Sequence, residues 1–180
     1  MAPSVSVVTS TVPERASMLA ECKASFADFG WQHCVYVDED RKGPAHGTNE
    51  AAKRATGDWL LPLADDDFLH PDFWDVMQQF LVEGDIVYSW CHTTSSEWCP
   101  NMLFSERVLR MRNFIPATAF IRRELWESLG GYRDCVMEDW DFWKRALDVG
   151  ARFVCVPEVL WTFRIHDGNF FTLKEERENG

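Results

Sequence analysis

Three adjacent carboxylates, Asp65-Asp66-Asp67, follow the apolar run 59–64 and precede Phe68-Leu69-His70-Pro71. Ionised side by side they repel one another, and a divalent hard cation bound to diphosphate oxygens would supply the counter-charge. The same triplet would also serve as a solvated turn feeding a helix at Asp72, where acidic residues suit the helix dipole. A second acidic group, Glu138-Asp139-Trp140-Asp141, opens a helical stretch. Carboxylates there are ordinary partners of a helix N-terminus, or one of them is a general base that removes a proton from an attacking hydroxyl. Each helical residue turns about 100°, so Asp139 and Asp141 lie about 200° apart and cannot both face one site. Asp139, nearer the helix mouth, is the candidate base. Near the end of the chain Arg164-Ile165-His166 alternates, which sets Arg164 and His166 on one side of a strand. A neutral imidazole there would complete a carboxylate metal site and the guanidinium would bind a diphosphate; a purely structural histidine is the competing reading.

The elements that must position these groups follow from periodicity. Residues 4–9 are valine-rich and read as a buried first strand, broken by residues 10–15. A helix is predicted over 14–29, with Met18, Leu19, Cys22 and Phe26 on one face and Gly30 as its stop. Residues 34–38 form the second strand, closing in Asp38-Glu39-Asp40, and 42–47 a loop. Thr48 is the expected cap of a short helix to residue 55, ended by Gly57, and residues 59–63 form the third strand. This β-α-β-α-β rhythm predicts a parallel sheet whose ligands gather at the carboxyl ends of its strands, where Ser10-Thr11, Asp38 and the aspartate triplet converge.

Beyond the triplet the pattern predicts a helix over 72–82, a strand over 85–91 and an irregular excursion over 92–111 across the active face. A strand over 114–121, a helix over 124–129 stopped by Gly130-Gly131, and a helix over 138–149 with a Trp140, Trp143, Leu147 stripe come next. Strands over 152–156 and 159–165 finish the fold. The expectation is one α/β domain over residues 1–170 with a charged tail over 171–180.

Composition bounds what the chain does. Of 180 residues, 46% are hydrophobic and 26% charged, which is globular composition, and the net charge of −11 opposes any broad grip on nucleic-acid backbones or anionic lipid. Small phosphorylated ligands held through a metal remain open. The longest apolar runs are strand-sized, so no transmembrane segment is expected, and the Met-Ala-Pro-Ser opening does not read as a secretion signal. Six scattered cysteines without a Cys-x-x-Cys pair predict reduced, buried thiols and a cytoplasmic setting, with no structural zinc. Of nine tryptophans, Trp90, Trp98, Trp126, Trp140 and Trp161 are candidates to offer a ligand an apolar plate with an N–H donor, against a core role for most; Trp98, in the irregular segment, stands first.

Together these segments resemble a family 2 glycosyltransferase of the GT-A fold, a Rossmann-like, mostly parallel mixed sheet flanked by helices. The resemblance runs over residues 5–169. Val5-Ser6-Val7-Val8-Thr9-Ser10-Thr11 is similar to the family's opening strand and Val35-Tyr36-Val37-Asp38 to its second. Gly47-Thr48-Asn49-Glu50-Ala51-Ala52 and Ala55-Thr56-Gly57-Asp58-Trp59-Leu60 resemble its helix and third strand. Ala64-Asp65-Asp66-Asp67 falls on the Asp-x-Asp-Asp motif, with Ala64 where many relatives carry the first Asp. Phe114 to Arg123 with Leu129-Gly130-Gly131-Tyr132 looks like the acceptor-side segment, Glu138-Asp139-Trp140 like the Glu-Asp motif, and Arg164-Ile165-His166 like the closing Arg-x-His.

The resemblance implies inverting, metal-dependent transfer of a sugar from a nucleotide-diphosphate donor, a UDP-sugar first, to an acceptor hydroxyl. Asp139 would be the base. Asp66, Asp67 and His166 would hold Mn²⁺ or Mg²⁺; Ser10, Thr11, Asp38, Asn49, Asp65, Asp66 and Arg164 would bind the donor; Glu138, Trp140 and Trp98 would lie on the acceptor side. How Asp65, Asp66 and Asp67 divide ribose and metal stays open, as does the acceptor: a glycan, a lipid carrier, a protein or a modified nucleobase. A nucleotidyltransferase would show a glycine-rich phosphate loop after the first strand, and residues 10–15 contain no glycine. The alternatives from another class are a non-catalytic nucleotide-sugar or glycan-binding module and a scaffold of a glycosylation complex.

Overall fold

Valine-rich β1 (Val5–Thr11) sits between β2 (Gln32–Val37) and β3 (Trp59–Pro62), parallel to both. The computed structural model describes residues 3–95, 99 and 101–166. β4 (Phe68–Leu69), β5 (Ile86–Thr93), β6 (Ala119–Arg122) and β7 (Phe153–Phe163) complete a seven-stranded mixed sheet in the order β2-β1-β3-β6-β5-β7-β4. β6 runs antiparallel to both β3 and β5, so β5 is parallel to β3; β7 is parallel to β5. The carboxyl ends of β1, β2, β3, β5 and β7, and the beginning of β6, therefore lie along one edge.

Strict alternation assigns the two faces. Val8, Leu60, Ile86, Tyr88 and Ile121 pack with α2 (Pro44–Ala52), α4 (Glu106–Met111), α5 (Arg123–Leu129) and α6 (Glu138–Asp148). Their sequence neighbours Val7, Trp59, Leu61, Val87 and Phe120 face the other way, onto α1 (Ala16–Ala24) and α3 (Phe73–Met77). Both faces are thus covered, which is why β3 is buried at every position.

Several expectations are corrected. The helix predicted over 14–29 is a short 3₁₀ turn at Pro13–Arg15, then α1, then a second 3₁₀ turn at Ala27–Phe29. The Ser25 hydroxyl donates to the Cys22 carbonyl and accepts the Leu69 N–H, which draws the chain out of helical register. α2 begins at Pro44 rather than Thr48: Gly43, at φ 99°, makes the bend, Pro44 opens the helix, and Thr48 is buried inside it. α3 stops at Met77. The span 92–111 contains the end of β5 and all of α4, whose N-cap Ser105 accepts the Val108 N–H. β6 starts at Ala119, and the two expected terminal strands are one, β7, because two register shifts opposite Ser89–Cys91 absorb Pro157 and Glu158, then Leu160. The buried stripe of α6 is Phe142, Trp143 and Ala146, with Trp140 and Leu147 at its margins.

Cys91 and Cys99 form a disulfide, so the expectation of six reduced thiols is corrected and the cytoplasmic setting loses that support. Cys22, Cys34, Cys135 and Cys155 are free. Among the described residues no helix is long and apolar enough to cross a membrane. Trp98 and the tail 171–180 lie outside the described residues.

Candidate active site

The aspartate triplet forms the turn that carries the chain from β3 across to β4. Leu63 N–H still bonds Val8 O beside β1, Asp67 N–H closes on Ala64 O, and Phe68 pairs with Thr162 of β7. Asp65 is thereby set against the end of β1 and Asp67 against the end of β7. All three aspartates are at most 4% exposed.

Thr11 Oγ1 donates to Asp65 Oδ2 at 2.5 Å. One Arg15 nitrogen reaches both Asp65 Oδ1, at 3.0 Å, and Asp66 Oδ2, at 3.1 Å. His166 Nε2 lies 3.0 Å from the same Asp66 oxygen, and the Arg164 main-chain N–H donates to Asp67 Oδ1 at 2.9 Å. Burial pushes the Asp65 carboxyl up, against the Thr11 bond, with the neighbouring Asp66 charge adding to the rise and Arg15 opposing it. Asp67 is pushed well above the ordinary carboxylate value by burial and then by Asp66, the Arg164 N–H acting against both. Burial and the three aspartates together push the Cys22 thiol up. Burial is the first cause of each of these shifts, and the mutual repulsion of the aspartates adds to it.

In chemical type that donor set suits a hard divalent cation: carboxylate oxygens in a buried turn, with an imidazole on Asp66. Among the described residues no three His, Cys, Asp or Glu side chains converge into a ready ligand set. Arg15 holds the place of positive charge instead. Sequence reasoning overlooked Arg15; its signal is a lone cation just after Pro13, beyond the strand that ends at Thr11.

The other donor-side candidates are dispersed. Both oxygens of Asp38 accept main-chain N–H groups, from Lys42 at 3.0 Å and Gly43 at 2.8 Å, so the carboxylate curls its own loop. Ser10 packs against α2 at Gly47, where an added Cβ would stand 1.9 Å from Ser10 Oγ. Asn49 makes a two-way bond with the Tyr132 main chain, at 2.8 and 2.9 Å, and ties α2 to the turn after α5. The Arg164 guanidinium reaches Glu21 at 2.7 Å and lies over the Phe68 ring.

The base candidate is placed by topology. α6 ends at Asp148, just ahead of β7, whose first residues lie at the far edge. Eleven helical residues span about 16 Å, so the first turn of α6 stands back at the carboxyl edge. Asn113, in the approach to β6 at that edge, donates from Nδ2 to Asp139 Oδ2 at 2.8 Å, and the Trp140 N–H donates to Asp139 Oδ1 at 2.7 Å. Burial pushes the Asp139 carboxyl above its ordinary value, opposed by these two bonds. Asp141 turns away onto Arg145 at 2.7 Å, as the 200° separation requires. Glu138 shares the first turn, and the Trp140 indole N–H donates to Leu109 O, with Lys144 over its ring. Asn113 falls between the irregular span 92–111 and the strand expected from 114, and it left no sequence signal.

The profile of glycosyl transferase family 2 matches residues 13–137, well over half of the chain, ending just before Glu138-Asp139. No curated protein sequence matches. Among solved structures, S. aureus TarS 1–349 in complex with UDP-GlcNAc superposes with a TM-score of 0.75 at 17% identity, covering 92% of this chain and 60% of that one. The mannosyltransferase PcManGT from Pyrobaculum calidifontis, in complex with GDP-Man and Mn²⁺, superposes with a TM-score of 0.70 at 17% identity, over 98% and 61%. The chain spans about three fifths of the length of these structures. They share its GT-A fold. With the profile lying across β2, β3, the acidic turn and the segment up to α6, this chain belongs to glycosyl transferase family 2.

Proposed function

We propose that the chain transfers a glycosyl unit from a nucleotide-diphosphate sugar to an acceptor hydroxyl with inversion. The observation that carries this is a buried aspartate turn on the sheet edge that also bears the half-buried carboxylate of Asp139, held by Asn113. Asp139 takes the hydroxyl proton as the acceptor oxygen bonds the anomeric carbon; the bond from that carbon to the phosphate oxygen breaks, and the nucleoside diphosphate leaves with its electron pair. Asp66, Asp67 and His166 would hold Mn²⁺ or Mg²⁺, which when bound supplies positive charge against the leaving diphosphate. Thr11 and Asp65, already joined, would receive the ribose, with Ser10 and the Asp38 loop beside the base. Asn49 and Arg164 would act by holding α2 and the end of β7 in place.

Family membership supports the reaction class, and the ligands named with TarS and PcManGT support a nucleotide-sugar donor. UDP-sugars are the first to test, with GDP-sugars second. A cytoplasmic setting suits a donor whose diphosphate cannot cross a membrane unaided. The experiment is a panel of UDP- and GDP-sugars with Mn²⁺, scored by thermal shift and nucleotide release with and without chelator. One donor should stabilise the protein only when metal is present and should release its diphosphate. No stabilisation by any donor would contradict the reading.

A further inference from the structure

The segment that leads into β6 grips the start of α6 at three points. Trp140 Nε1 donates to Leu109 O at 2.6 Å, Asn113 Nδ2 to Asp139 Oδ2 at 2.8 Å, and Trp143 Nε1 to Ile115 O at 3.2 Å. The outer two bonds use main-chain carbonyls and need only an indole. The middle one is a side-chain amide on the candidate base, and it is half used: Asn113 Oδ1 is buried with no hydrogen-bond partner among the described residues. A buried acceptor without a donor is costly, and an isosteric apolar residue would avoid that cost. A primary amide carries a donor and an acceptor on one pivot, so a half-turn exchanges them.

We propose that Asn113 is the positioning residue of the base, donating to Asp139 while it is ionised and, after a half-turn of the amide, accepting from it once it is protonated. The inference rests on the transferase reading for the proton's origin. The acceptor O–H breaks, the proton bonds to an Asp139 oxygen, and the new carboxyl O–H points to Asn113 Oδ1; on release the proton passes to water and the amide turns back. No other co-reactant is needed. The direction of the Asp139 shift agrees, since the donated bond opposes the rise that burial causes. The titratable groups near Asp139 are Tyr132, from the turn after α5, whose hydroxyl is pushed up by burial, Asp139 and Glu138, and Glu138 on α6 itself. From the 109–115 segment the group that faces it is the uncharged Asn113.

The test is a carboxyl-carbon NMR titration of Asp139, assigned by its loss in Asp139→Asn, in the wild type, Asn113→Ala and Asn113→Ser. Losing a hydrogen bond to a charged acceptor should move the Asp139 midpoint up by about one pH unit in Asn113→Ala. Asn113→Ser, whose hydroxyl both donates and accepts, should fall between; if Asn113→Ala does not fold, Asn113→Ser decides alone. In turnover, the acid limb of kcat should move with the midpoint while KM for the donor stays fixed. Folded variants that titrate at the wild-type midpoint would overturn the proposal. The titration is read without substrate, so its failure is distinguishable from a wild type that turns over no donor, which would sink the transferase reading instead.

Discussion

Arg15 shows how single side chains set the state of this site. Its side chain, 25% exposed, places one guanidinium nitrogen against both Asp65 and Asp66, whose side chains are 3% and 6% exposed. Removing one partner of a fully buried ion pair costs roughly 3–5 kcal/mol because the other charge is left uncompensated. Partial exposure of Arg15 reduces this, and Arg15→Met should lower stability by about 2 kcal/mol in chelator. A divalent cation supplies the same charge, so Mn²⁺ should stabilise Arg15→Met more than wild type in parallel urea titrations. An equal Mn²⁺ effect on both would show that the cation and Arg15 do not share the carboxylates. Asp139 gives a pH dependence. Its folded-state value lies above the ordinary carboxylate value, so folding disfavours the ionised form. That contribution is intact below the unfolded-state value and is lost as pH rises through the folded one. Asp139→Asn does not ionise, and the Asn113 amide can turn to offer its free Oδ1. Its melting temperature relative to wild type should rise from pH 4 to pH 7; a constant difference would contradict burial as the cause.

At the scale of elements, α2 is seated on β1 through Gly47. Alanine in a helix interior is favoured over glycine by about 1 kcal/mol. Here its Cβ would meet Ser10 Oγ at 1.9 Å and Ser10 Cβ at 2.6 Å, and such overpacking costs roughly 1–3 kcal/mol. The clash should win: Gly47→Ala should lower stability by about 1–2 kcal/mol, and Ser10→Gly in the same chain should restore most of it, read by denaturant melts. An unrepaired double variant would place the strain elsewhere. This contact also marks the limit of the sequence. Thr48 has the chemistry of a helix cap, but Gly43-Pro44 bends the chain earlier, and that competition is settled by the fit of α2 on β1. The strands β1 and β3 were legible because Val5, Val7 and Val8 and the apolar run at Trp59–Pro62 must be buried whatever surrounds them. β7 was divided in two because Pro157 lacks a ladder donor, and the bulge opposite β5 that bridges it depends on pairing across the sheet.

Across the whole molecule, the order β2-β1-β3-β6-β5-β7-β4 brings residues distant in sequence to one edge. The triplet and His166 were legible as types at strand ends, and they meet through the 3.0 Å contact with Asp66. Asn113 was not, because its meaning is its contact with Asp139, 26 residues away across β6 and α5. The Cys91–Cys99 disulfide was missed for a like reason, since two of six scattered cysteines become partners only when the fold sets Cys99 beside Cys91 of β5. The central claim is that this edge holds the donor while Asp139 removes the acceptor proton. The most direct test is Asp139→Asn with the stabilising donor and Mn²⁺: calorimetric affinity for the donor beside the single-turnover transfer rate. Affinity should stay within about twofold while the rate falls about 10²–10⁴-fold, the contribution of one general base. Wild-type rate in a folded Asp139→Asn protein would contradict the account.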